Sequence, residues 1–175
     1  MKKFTTLPLA LVLLLLSIFF LPISQCRATN LIQQTCKKTP NYDLCVSTLR
    51  SDSRSSNSDV VGLALIMVDF VGAKAKETMK NIKLLLNKNP GNKKKALSSC
   101  ADNYRAVIEG DIPEAIQALK TGDYKFAEQG TNDVSKEADS CEDNFQGSYP
   151  LTNMNKLVHD LASIAAAITR VLLIG

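Results

Sequence analysis

From Val61 onward apolar side chains recur at steps of three and four, the period of an α-helix, and no run alternates strictly in twos as a half-buried strand would. One seam, Val61, Leu65, Val68, Gly72, Ala75, Met79, Ile82 and Leu86, predicts a long helix that stops at Asn89-Pro90-Gly91. A second seam, Leu97, Cys100, Tyr104, Ile108, Ile112, Ala115 and Leu119, closes at Lys120-Thr121-Gly122, a cation and then a glycine where the helix dipole and the C-cap favour them. Pro113 falls inside that stretch, removes a backbone donor, and predicts a kink or a division into two pieces. The third seam is Ala127, Val134, Ala138, Cys141 and Phe145, followed by a Gly147-Ser148-Tyr149-Pro150 loop. The fourth is Leu151, Met154, Val158, Leu161, Ala165, Ile168 and Leu172, with Thr152 or Asn153 available as its cap. Four amphipathic helices joined by short turns have one economical arrangement, an up-and-down four-helix bundle with every stripe turned to the common axis. The expected fold is all-α.

The chain before Val61 follows two other patterns. Residues 29–59 break into short apolar clusters around Thr39-Pro40-Asn41 and a Ser/Arg/Asp-rich run from Ser51 to Ser58, which predicts a short helical hairpin and a loop ahead of the bundle. Residues 1–28 combine a Lys2-Lys3 start, an uncharged apolar run from Leu7 to Leu21, and small residues after Pro22, the three parts of a signal peptide; a retained anchor is the alternative. Cleavage after Cys26 or after Ala28 removes one of the five cysteines. Cys36, Cys45, Cys100 and Cys141 remain, an even set in an oxidising compartment, and two disulfides are the default expectation. Cys36 and Cys45 flank the hairpin turn, and Cys100 and Cys141 lie on the second and third seams. That favours pairing within each couple, although four cysteines allow three connectivities.

Loss of Lys2, Lys3 and Arg27 takes the 21 basic residues to 18 against 17 acidic ones, so the mature chain is near neutral and carries no bulk field for nucleic acid. A hydrophobic content of 45% with 22% charged residues places it among chains that fold around a core.

The usual parts of an active site are missing. The one histidine, His159, and four cysteines committed to disulfides leave no Ser-His or Cys-His pair and no zinc set, so no cofactor or metal is expected. Asp139, Glu142 and Asp143 could in principle form a carboxylate site, but such spacing on a helix is usually a solvated face, as is the Lys93-Lys94-Lys95 run. Thr121-Gly122-Asp123-Tyr124-Lys125-Phe126-Ala127-Glu128 differs from the rest of the chain. It sets an aromatic, a cation and an aromatic in succession at a turn between helices, where the helical period cannot bury all three. Exposed aromatic and cationic side chains together are the composition of a protein-binding hot spot.

The segments Thr35-Cys36-Lys37-Lys38-Thr39-Pro40-Asn41-Tyr42-Asp43-Leu44-Cys45, Ser51-Asp52-Ser53-Arg54-Ser55 and Gly62-Leu63-Ala64-Leu65-Ile66-Met67-Val68-Asp69, with Cys100 and Cys141, resemble the plant invertase and pectin methylesterase inhibitors over the whole mature chain. The resemblance implies a four-helix bundle preceded by a helical hairpin, disulfides Cys36–Cys45 and Cys100–Cys141, and no enzymatic activity. Pro113-Glu114-Ala115-Ile116 and Gly122 to Glu128 are similar to the invertase-inhibiting branch, which carries Pro-Lys-Phe in that turn and inserts it at the mouth of the invertase active site. Lys125 and Phe126 match that motif and Tyr124 replaces its proline, so Asp123, Tyr124, Lys125 and Phe126 are the expected target-binding residues. The expected partner is an acid invertase, bound in a 1:1 complex in the apoplast or the vacuole. Inhibition of pectin methylesterase is the alternative, and an apolar-ligand carrier is the reading from another class. The terminal Val171-Leu172-Leu173-Ile174 reads as a helix end rather than a lipid-anchor signal, because His159, Asp160 and Arg170 interrupt the apolar tail that signal needs.

Overall fold

The computed structural model describes residues 30–88, 91–145 and 151–174. The signal peptide expected at 1–28, the Asn89-Pro90 stop and the loop at 147–150 lie outside the described residues. Among these residues every regular element is helical: α1 (30–36), α2 (Tyr42–Ser51), a 3₁₀ turn (Ser53–Asn57), α3 (Val60–Asn87), a second 3₁₀ turn (Gly91–Lys93), α4 (Lys94–Ala106), α5 (Ile112–Thr121), α6 (Tyr124–Asp143) and α7 (Thr152–Ile174). Helices α3, α4–α5, α6 and α7 run up, down, up and down around one core. The α1–α2 hairpin lies against the end at which α3 begins and α7 finishes.

The hairpin is held by its own chemistry. Asn41 sits in the left-handed region (φ 56°) and caps α2 by accepting from the Leu44 amide, a conformation asparagine adopts more readily than bulkier residues. The Cys36–Cys45 disulfide closes the turn. Beyond α2, Arg54 donates to both oxygens of Asp52 and, at 2.8 Å, to Asp69 of α3. This fork ties the 3₁₀ turn to the bundle, and the hydrogen bonds from Arg54 hold the Asp52 carboxyl below its ordinary range. Asp59 then caps α3 by accepting from the Gly62 amide at 2.8 Å.

Helix α3 is buried around more of its circumference than a single seam predicts. Leu63, Ala64, Ile66, Met67, Val68 and Val71 are all inside, because α2 packs on its first half in addition to the bundle helix α7 and covers a side that a plain four-helix bundle would leave open. The stretch around Pro113 is divided into α4 and α5, one of the two outcomes expected of the proline. Between them the helical path widens into one π-helical turn at Val107–Asp111, with the Ile112 amide bonding back to the Val107 carbonyl. Pro113 lacks the amide that would bond to Glu109, and its ring would strike that carbonyl, so an added residue in the preceding turn relieves both defects. The insertion also shifts the seam. Val107 is fully buried and the next fully inward residue is Ile112, five positions on, while Ile108, expected in the core, is only partly buried at its edge. Ile112 then packs 3.2 Å from where a Cβ on Gly72 would stand, so even a methyl at that position would require the Ile112 side chain to shift by a few tenths of an ångström.

Helices α6 and α7 form the closest pair. Ala138, Ala162, Ala165 and Ala166 are buried, and small side chains there let the two backbones approach without leaving a cavity. The second disulfide, Cys100–Cys141, joins α4 to α6 with Cα atoms 4.6 Å apart. The start of α7 corrects the expected cap. Thr152 is already the first helical residue, its hydroxyl donates to Glu142 Oε1 at 2.5 Å, and the Leu151 carbonyl accepts from the Met154 and Asn155 amides.

Candidate functional site

The turn between α5 and α6 is built by three residues. Gly122 ends α5 at φ 80°, a left-handed conformation that a side chain would strain. The Asp123 amide returns to the Ala118 carbonyl at 2.9 Å, and the Asp123 carboxylate accepts from the Phe126 amide at 3.2 Å, capping α6. Tyr124 is the first helical residue of α6; it is half-buried and packs against the core. Lys125 and Phe126 follow on the same first turn and point outward. Phe126 is 46% exposed, a large apolar ring kept in water by the helix register. Of the four expected target-binding residues, the structure therefore gives Asp123 a local capping role, tucks Tyr124 beneath the corner, and presents Lys125 and Phe126 to solvent.

One turn further along, Glu128 accepts from Arg170 Nε at 2.6 Å, which fastens the end of α7 to the start of α6 beside the corner. Arg170 in turn lines a shallow hollow of about 320 Å³ with Lys38, Ala167, Val171 and Ile174. The hairpin turn, the end of α7 and the α5–α6 corner thus share one end of the bundle.

The other candidate residues are occupied elsewhere. Asp139 Oδ1 lies 2.8 Å from His159 Nδ1, a surface contact between α6 and α7 that pairs charges when the imidazole is protonated. Glu142, read from sequence as part of a solvated face, accepts from Thr152 and from Asn155 Nδ2 at 2.7 Å. Asn155 in turn accepts from the Tyr104 hydroxyl at 2.9 Å, which completes a largely buried chain across α4, α6 and α7. Asp143 is exposed. No group of three metal-binding side chains occurs among the described residues.

Asp111, at the end of the π turn, is a partly buried acid among other carboxylates. Partial burial, then the carboxylates of Asp133, Glu137 and Glu114, push its acid up to about 6 from an ordinary 3.8. Between those two values the native state holds more protons than the unfolded chain, so stability falls as pH rises through that window, and the full penalty is present above it. Asp111→Asn is expected to raise stability at pH 7 by about 1 kcal/mol, after allowance for partial exposure, and to change nothing at pH 3.5. Melting temperatures of both proteins across pH 3.5 to 7 check this.

Residues 30–168 match the model of the plant invertase/pectin methylesterase inhibitors. The chain belongs to that family. Among curated relatives of this inhibitor family, the chain is 41% identical over 139 residues to an Arabidopsis thaliana protein named cell wall / vacuolar inhibitor of fructosidase 1, covering 79% of this chain and 67% of that one. It is 35% identical over 169 residues to an Actinidia deliciosa pectinesterase inhibitor, covering 91% of each. A solved mutant form of an Arabidopsis pectin methylesterase inhibitor superimposes with a TM-score of 0.68 at 27% identity, over 77% of this chain and 92% of that one. The chain is accordingly a non-enzymatic inhibitor of invertase or of pectin methylesterase.

Proposed function

We propose that this inhibitor acts on an acid invertase and closes its active-site cleft with the α5–α6 corner. The observation that carries the reading is the outward pair Lys125 and Phe126 on a capped, disulfide-braced scaffold. The fructosidase-inhibitor name of a relative 41% identical to the chain supports it. A glycosidase of this kind works with paired carboxylates, so a lysine delivered to the cleft mouth meets opposite charge where the chemistry occurs, while Phe126 fills an apolar recess beside it. Tyr124 stands where invertase inhibitors carry proline. That site is the first residue of α6, within the turn whose amides have no intrahelical acceptor and at the position where the fixed φ of proline fits, so either residue is compatible with the same turn. The corner needs no ordering on binding beyond the two outward side chains, which limits the entropic cost of the complex. Action in the apoplast or the vacuole, after signal cleavage, belongs to the same reading.

The test is to titrate the mature oxidised protein, Lys125→Ala and Phe126→Ala separately against an acid invertase and a pectin methylesterase at mildly acidic pH. Invertase alone is expected to lose activity, and each substitution is expected to weaken inhibition by about 2 kcal/mol, roughly thirtyfold. Unchanged inhibition by both variants would remove the corner from the interface, and loss of methylesterase activity alone would transfer the function to the Actinidia-type target.

A further inference from the structure

Charge is distributed very unevenly along this chain, whose net charge is +4. Between residues 74 and 105 the sequence holds Lys74, Lys76, Lys80, Lys83, Lys88, Lys93, Lys94, Lys95 and Arg105 against Glu77 and Asp102, nine cations to two anions, a net of +7. The fold gathers much of this charge on one face. Lys76, Lys80, Lys83 and Asn87 follow one another at helical spacing along α3, a ridge of about 16 Å. They flank a groove of about 540 Å³, whose other wall is Ala101, Arg105 and Ile108. The π turn contributes to this groove by leaving Ile108 partly buried at the edge of the core, where it lines the wall. Met79 and a half-exposed Leu84 line it as well, and Glu109 contributes its single carboxylate. Lys74 is paired with Glu77 and Arg105 with Asp102, but Lys76, Lys80 and Lys83 meet no carboxylate within ion-pair distance among the described residues. The α3–α4 groove lies on the flank of the bundle and is separate from the α5–α6 corner.

We propose that this groove binds a linear acidic polysaccharide, a polyuronate bearing free carboxylates. The lysine ridge supplies a row of point charges to successive carboxylates, and the aliphatic floor receives the less polar faces of the sugar rings. A protein partner fits less well, because protein interfaces are depleted of lysine and anchored by aromatic residues, and none of the residues lining the groove is aromatic. Binding here would hold the inhibitor on an anionic matrix while the corner at the bundle end stays free for its target enzyme.

The experiment measures binding of the mature protein to a polygalacturonate oligomer, to the same oligomer fully methyl-esterified, and to poly-glutamate, in low and moderate salt. Lys80→Glu/Lys83→Glu is compared with Lys136→Glu, an exposed charge reversal on α6, and enzyme inhibition is recorded for each protein. The polyuronate is expected to bind, with affinity falling about tenfold or more on adding salt and again in the double variant, while the ester shows no such salt dependence and the α6 variant binds the polyuronate as the unaltered protein does. Inhibition is expected to be unchanged in both variants, which also reports that they are folded. Equal binding of the ester, unaltered binding by the double variant, or a preference for poly-glutamate would each overturn the proposal; failure of the invertase assay would leave it standing.

Discussion

Replacing Cys100 and Cys141 together by alanine is expected to cost about 4 kcal/mol of stability and to lower the melting temperature by roughly 10–15 °C. The two cysteines are 41 residues apart in sequence and fully buried where α4 crosses α6. Without the bond, the unfolded chain regains the freedom of that whole loop. The hairpin disulfide, Cys36–Cys45, closes a loop of nine and is expected to contribute about 3 kcal/mol on the same scale. Thermal unfolding of the two double variants under oxidising conditions ranks the staples, and equal losses would refute the loop-length account. The functional consequence is specific. Cys141 lies 15 residues along α6 from Phe126, about 22 Å away, so it cannot touch an enzyme held at the corner. The Cys100/Cys141 variant should therefore inhibit normally at temperatures where it is folded and lose inhibition in step with melting.

The elements that were legible from sequence are those whose burial follows a single period. The seams of α6 and α7 read directly as helices because one face of each meets the core and the other meets water. Helix α3 was legible as a helix, but not the breadth of its buried surface, since that depends on where the hairpin folds back. Pro113 announced an irregularity without showing its form. Kinking, breaking and widening all satisfy a missing amide, and only packing of Val107 and Ile112 on the same seam selects the widened turn. The fork from Arg54 to Asp52 and Asp69 spans 15 residues and was invisible to a local reading, although all three residues stood in the segments that carry the family resemblance. At the corner, the run from Tyr124 to Phe126 could be recognised as impossible to bury completely. Which members face water required the helix start to be placed at Tyr124.

The polar chain at the opposite end of the bundle escaped notice for another reason, and it supports the second large prediction. Asn155 lies between Leu151 and Val158 on the inward stripe of α7, and a carboxamide in that register was the available signal of a buried partner. It is 2% exposed, accepts from Tyr104 and donates to Glu142, so removing it strands groups on two neighbouring helices. Burial pushes the Tyr104 phenol well above its ordinary titration range, which keeps the hydroxyl a neutral donor; the nearby Thr78 of α3 offsets part of the rise and the Glu142 charge adds to it. Asn155→Ala is expected to cost about 3 kcal/mol, the sum of a small cavity, a buried hydroxyl deprived of its acceptor and a carboxylate that loses one of its two donors and keeps Thr152. Adding Tyr104→Phe to that variant should cost less than it does in the intact protein, because the hydroxyl has already lost its acceptor. A coupling of about 1 kcal/mol or more in the double-mutant cycle, measured by denaturant unfolding, identifies a connected network, and additive losses would reduce it to adjacent but independent contacts. With the disulfide beside it, this network fixes α4, α6 and α7 to one another at the end remote from Lys125 and Phe126. The corner is thereby presented by helices whose far ends cannot slide, and the stiffness that limits the entropic cost of binding originates some 20 Å from the residues proposed to bind, an estimate from helix rise.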